Sequence, residues 1–151
     1  MESDAPDEKA RFAISCAIWL RGEHLEPDLI TASLGITPTS TRRKGEVHHT
    51  SAGTAITARI GIWKVHVRGD GSDFQPAISA LLATFAHVDK GLLTLPGVAD
   101  AMFDIYGTAD RGEDLDAAYL SLSPQQVQRL AALDLAIDVS LSFFAQPSHE
   151  A

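Results

Sequence analysis

The chain has 151 residues, 45% of them hydrophobic and 21% charged, enough for one domain that buries roughly 70% of its unfolded surface. That composition excludes a disordered chain, and the single cysteine, Cys16, excludes an intrachain disulfide framework and any cysteine-rich zinc site. Net charge is −8 but uneven: residues 1–68 balance to +1, residues 69–151 to −9, and residues 41–68 alone to +5. Such blocks become either mutually neutralising faces of one domain or a partner surface.

Residues 1–10 carry Glu2, Asp4, Asp7 and Glu8 against one lysine, with neither the basic start nor the apolar core of a secretory signal, so they read as a solvated tail. Residues 146–151 read as a second tail, leaving 11–145 as a single domain. No apolar run approaches the roughly 20 residues that span a bilayer. With one cysteine, the expectation is a cytoplasmic protein without membrane association.

From Arg11 to Leu20 the chain alternates, Phe12, Ile14, Cys16, Ile18 and Leu20 against Ala13, Ser15, Ala17 and Trp19, a strand with both faces largely covered. Pro27 opens a helix that carries Leu29, Ile30 and Leu34, Gly35 closes it and Pro38 forbids its resumption. Residues 37–53, rich in Thr, Ser and Gly, predict a loop with a basic tip. Between Thr54 and Val67 the alternation changes phase at Gly61, which calls for a bulge or a bent strand shared between two pairings.

Ile78, Leu81, Leu82, Phe85 and Val88 predict a helix from Pro76 to about Val88. Residues 91–97 are apolar but stopped by Pro96-Gly97. A strand follows from Ala101 to Tyr106, an acidic loop from Thr108 to Asp116, and a short strand from Ala117 to Leu122. Ser123, Pro124 and Gln126 spell a capping box, with Val127, Leu130, Ala131 and Leu133 as the apolar stripe of the helix behind it. The last strand sets Ile137, Val139, Leu141 and Phe143 against Asp138, Ser140 and Ser142, one dry face and one wet. The predicted order is β-α-β-α-β-β-α-β. It points to an α+β two-layer sandwich of ferredoxin-like character, a mixed, mostly antiparallel sheet with helices on one face.

The block from Leu25 to Glu46, the triplet Gly61-Ile62-Trp63 and the stretch from Leu120 to Leu133 resemble hallmarks of a bacterial family, domain of unknown function 4279. The resemblance implies a compact bacterial α+β domain and brings no reaction with it.

No glycine loop for phosphates is present, and Gly69-Asp70-Gly71 lacks a Walker lysine. Cys16 lies in the apolar row of its strand, where a thiol is inert filler. His48 and His49, being adjacent, face opposite ways on a strand, and His24, His66 and His87 stand in separate elements, so no metal site is expected. Asp104 shares a strand side with Tyr106 and has no sequence partner for acid–base work, so no catalytic residue and no cofactor is assigned.

The remaining candidates for binding are Arg42, Arg43 and Lys44 at a glycine-flanked tip, with His48 and His49 behind them and Trp63 and His66 downstream. This set suits a phosphate or an acidic partner. A sequence pI near 5.0 argues against nucleic acid. Trp63 is expected to be structural first, filling space beside Gly61. The favoured function is a non-enzymatic protein-interaction module, immunity-type or otherwise neutralising. The alternative is a small-ligand or anion-binding protein, or an enzyme, with a pocket near the 42–49 loop and Trp63. Partner identity and oligomeric state are not set by the sequence.

Overall fold

The computed structural model describes residues 12–71, 73–110 and 120–144. In chain order the elements are β1 (Phe12–Gly22), α1 (Pro27–Leu34), β2 (Ser40–Arg42), β3 (Val47–His49), β4 (Ala55–Thr57), β5 (Gly61–Asp70), α2 (Gln75–Thr84), a 3-10 turn (Leu92–Thr94), β6 (Asp100–Asp110), α3 (Pro124–Ala132) and β7 (Ala136–Phe144). Five strands form one mixed sheet in the order β2-β5-β1-β6-β7, and β3 and β4 form a separate hairpin. β1 is antiparallel to both β5 and β6, β2 is antiparallel to β5, and β7 runs parallel to β6. The protein is therefore α+β. The expected tails, and the predicted strand over Ala117 to Tyr119, lie outside the described residues, while 120–122 are irregular.

Register places the apolar rows on one face. Leu20 pairs with Trp63, Ile18 with Val65 and Phe103, and Cys16 with Val67 and Ile105. These side chains, with Val67 only partly buried at the margin, join Ile30 and Leu34 of α1, Ile78 and Leu81 of α2, Phe85, and Leu130 and Leu133 at α3 in one buried cluster. The helices thus lie on the side of the sheet to which the even positions of β1 point.

Helix ends follow local chemistry. Pro27 starts α1 where a missing N–H costs nothing, and Gly35, at φ 65°, closes it by donating its N–H to Thr31 O at 2.8 Å. Gln126 N–H donates to Ser123 Oγ at 3.1 Å and Ser123 N–H to Gln126 Oε1 at 2.9 Å, the reciprocal box at the start of α3. α2 stops at Thr84, short of the predicted Val88, and turns carry Phe85 and Val88 into the core instead. The Phe85 carbonyl, which also takes the Val88 N–H, and the Val88 carbonyl accept from the Arg129 guanidinium at 2.6 Å each, a cation where a helix end is negative.

Two predicted irregularities resolve into pairing. The loop over 37–53 contains β2, drawn to the sheet edge where Thr39 N–H donates to Lys64 O at 2.7 Å, and β3, folded onto β4 through a turn with Gly53 at φ 83°. The phase change is a chain shared between two pairings: β4 belongs to the hairpin and β5 to the sheet. At Gly61 a Cβ would stand 2.4 Å from the Leu25 carbonyl oxygen, so the chain entering α1 crosses β5 at a distance that only glycine permits.

Candidate functional site

The odd positions of β1 point away from the helices, and register extends that second face across the whole sheet. Trp19 lies between Lys64 and Met102, Ala17 between His66 and Asp104, and Ser15 between Arg68 and Tyr106. Asp138 adjoins Asp104 on the β7 side, and Arg42 adjoins Ile62 on the β2 side. The centre of this face is small, because Ser15 and Ala17 project little. The result is a trough of about 270 Å³ floored by these two residues, with Lys64, His66 and Arg68 on one wall and Asp104 and Tyr106 on the other. A second hollow of about 190 Å³ adjoins it, lined by Trp19, Ser40, Thr41, Arg42, Ile62 and Lys64.

The electrostatics divide across this floor. The cationic wall draws on the +5 block of the sequence. Among the described residues, ion pairs join Arg21 to Asp100, Arg43 to Asp28 and Lys44 to Glu23, and none involves Arg42, Lys64 or Arg68. Lys64 Nζ sits 5.1 Å from the centre of the Trp19 ring and the Arg21 guanidinium 5.7 Å, so the indole is a platform between two cations. His66 has its pKa lowered, first by burial and then by Lys64 and Arg68, which disfavour a third positive charge. Asp104 is raised, first by burial and then by the charge of Asp138; the Trp19 indole N–H and Lys64 oppose that shift. The indole N–H stops short of hydrogen-bond geometry, and Trp19 Nε1 is buried without an acceptor.

What the face does chemically follows from its spacing. His66 and Asp104 flank β1 on neighbouring strands, with Ala17 between them in register, and no hydrogen bond joins their side chains among the described residues. Cys16 points into the core, where burial and the nearby Asp104 charge push its thiol up to about 11, far from a reactive thiolate. No group of three or more His, Cys, Asp or Glu converges as a metal site among the described residues. The arrangement suits binding by charge and aromatic contact.

The structure separates the residues that the sequence suggested as a site. Arg42 joins the Trp19 hollow on the helix-free face. Arg43 bonds to Asp28 at the start of α1, and Lys44 Nζ lies 2.5 Å from Glu23, whose carboxyl is pulled below its usual range by that ammonium. His48 and His49 sit on the separate hairpin, with His48 Nδ1 buried and unpartnered. Trp63 is 0% exposed; its indole N–H donates to Thr31 Oγ1 at 3.1 Å and its ring meets Phe85 edge-on at 6.2 Å, so no ligand reaches it in this state. Trp19, Lys64, Arg68 and Tyr106 were not singled out from sequence. Their signal was parity: Lys64, His66 and Arg68 recur every second residue opposite the apolar row of β5.

A mixed five-stranded sheet with three helices and a charge-divided trough defines an α+β domain. The chain matches the family described as Domain of unknown function (DUF4279) over residues 12–144, and it belongs to that family. No curated protein and no solved structure matches it. No helix among the described residues is long and apolar enough to cross a membrane.

Proposed function

We propose that this protein is a non-enzymatic interaction module that docks a partner protein on the helix-free face of its sheet. The observation that carries the reading is the division of charge over the trough: among the described residues no ion pair takes Arg42, Lys64 or Arg68, which stand opposite Asp104 and Asp138. The partner that fits is a protein surface divided the opposite way, acidic over β5 and basic over β6 and β7. A volume of about 270 Å³ falls below the roughly 300–1,000 Å³ of typical small-molecule sites, which favours a broad, shallow contact. An immunity-type or other neutralising role in bacterial cytoplasm is the setting we favour. The same reading takes the architecture as two layers of ferredoxin-like character. Helices on one face and the β6-α3-β7 crossover support it, and β1, antiparallel to both neighbours, counts against a regular ferredoxin order.

The second reading, a small anion or ligand, is favoured by one feature, the Trp19 hollow with Arg42 and Lys64 on its rim. One experiment separates the two. A partner is captured from source cells and identified, and its affinity is then measured for the parent, for Lys64→Glu with Arg68→Glu, and for Arg43→Glu with Lys44→Glu, at two salt concentrations. The first double variant is expected to lose at least about tenfold in affinity, with weaker salt dependence, and the second to bind like the parent. Equal binding by the first variant, with unchanged melting, would overturn the docking site. Saturable binding of inorganic phosphate that Arg42→Ser abolishes would favour the second reading.

A further inference from the structure

We infer that β7 is a self-association edge, on which a second copy of this chain pairs its own β7 antiparallel about a two-fold axis at Val139. The two edges of the sheet differ. β2 ends one side after three residues, whereas β7 offers nine, and no described strand pairs with its outer side. Natural sheets blunt such an edge with lysine, proline or a bulge; from Ala136 to Phe144 there is neither lysine nor proline, and Asp138 is the one charge.

The side chains add a second demand. Ile137 pairs with Phe103, Val139 with Ile105 and Leu141 with Gly107, which sets the row on the helix-bearing face. There it is uncovered, with Ile137 44%, Val139 43% and Leu141 49% exposed. The cause is the lean of α3, which anchors to the α2 side through Arg129 and through the bonds of Gln126 with Gln75. The predicted dry face of this strand is therefore dry only if something else covers it.

A second β7 meets both demands. An axis at Val139, normal to the sheet, keeps each face on its own side, so Ile137 stands opposite the second copy's Leu141 and Val139 opposite itself. Asp138 falls opposite Ser140, so no like charges face each other despite the net −8 of the chain. Backbone groups at both edges gain partners, and the two apolar rows close on one another. The helix-free faces also become one continuous surface, although the inference does not depend on what that surface binds.

The test is the mass in solution and a cross-link. Light scattering on the eluting peak is expected to give twice the 16.2 kDa chain mass. Opposed residues in antiparallel strands have Cα atoms about 4.5–5.5 Å apart, within the range a disulfide spans. Val139→Cys is thus expected to give a covalent dimer on mild oxidation that reductant dissolves, against a background of none from the parent, whose Cys16 is buried. Val139→Lys should shift the peak to the single-chain mass, while Leu93→Lys, at an equally exposed site on the 3-10 turn, should not. A parent that runs at 16.2 kDa up to its solubility limit overturns the inference. So does a dimer that Val139→Cys fails to cross-link, an outcome readable even if Val139→Lys does not fold.

Discussion

Replacing Trp63 by alanine probes the joint on which both faces of the sheet depend. The ring is 0% exposed, lies opposite Leu20 on β1, meets Phe85 edge-on and donates its N–H to Thr31 on α1. A buried indole truncated to a methyl costs about 3–5 kcal/mol, transfer and residual cavity together. Within that sum the hydrogen bond accounts for about 0.5–1.5 kcal/mol and the aromatic geometry for a similar amount. In a chain of 151 residues each kcal/mol lowers the melting temperature by about 2–4 °C, so Trp63→Ala should melt about 6–20 °C below the parent. Urea titration followed by far-ultraviolet circular dichroism reads the loss independently of the missing fluorophore. Thr31→Val removes the acceptor alone and should cost about 1 kcal/mol. A midpoint for Trp63→Ala within about 0.5 kcal/mol of the parent would refute the assignment, because surface substitutions alone stay that small.

Three further outcomes follow from local geometry. Ser123→Ala removes the acceptor of the Gln126 N–H and should destabilise by about 1 kcal/mol in the same titration; no loss would mean that α3 starts elsewhere. Gly61→Ala forces a methyl to within 2.4 Å of the Leu25 carbonyl oxygen and should cost about 1–3 kcal/mol, and a neutral result would show that the chain entering α1 can move aside. Asp104 has its folded-state pKa raised above 3.8, so the folded protein disfavours its charge, a cost absent below the unfolded value that sets in as pH climbs through the folded one. Asp104→Asn should therefore stabilise at neutral pH and lose that advantage in acid below 3.8; a gain that persists there would trace the effect to packing.

The basic tip shows that consecutive charges need not share one surface. Arg42, Arg43 and Lys44 are consecutive, yet folding gives them three fates, because β2 turns Arg42 onto the helix-free face while Asp28 and Glu23 come alongside the other two. Glu113, Asp114 and Asp116, the acidic counterpart in the sequence, lie outside the described residues. Replacing all three cations by serine would blend Arg42, on the proposed docking face, with two exposed ion pairs, each worth little. Arg42→Ser is the informative single change.

What the sequence determined by itself was whatever a few neighbouring residues decide. Pro27 and Gly35 bound α1, Ser123 and Gln126 open α3, and the alternation of β1, β5 and β7 is readable because side chains on a strand change sides at every residue. Only the tertiary structure decided which side of each strand is covered. Trp63 is sealed because α1 and α2 converge on it, Ile137, Val139 and Leu141 stand open because α3 leans on α2, and Lys64, His66 and Arg68 face Asp104 because β5 and β6 flank the small residues of β1. Alternation reports two faces without naming the neighbour of either, since that neighbour comes from chain dozens of residues away and is set by packing.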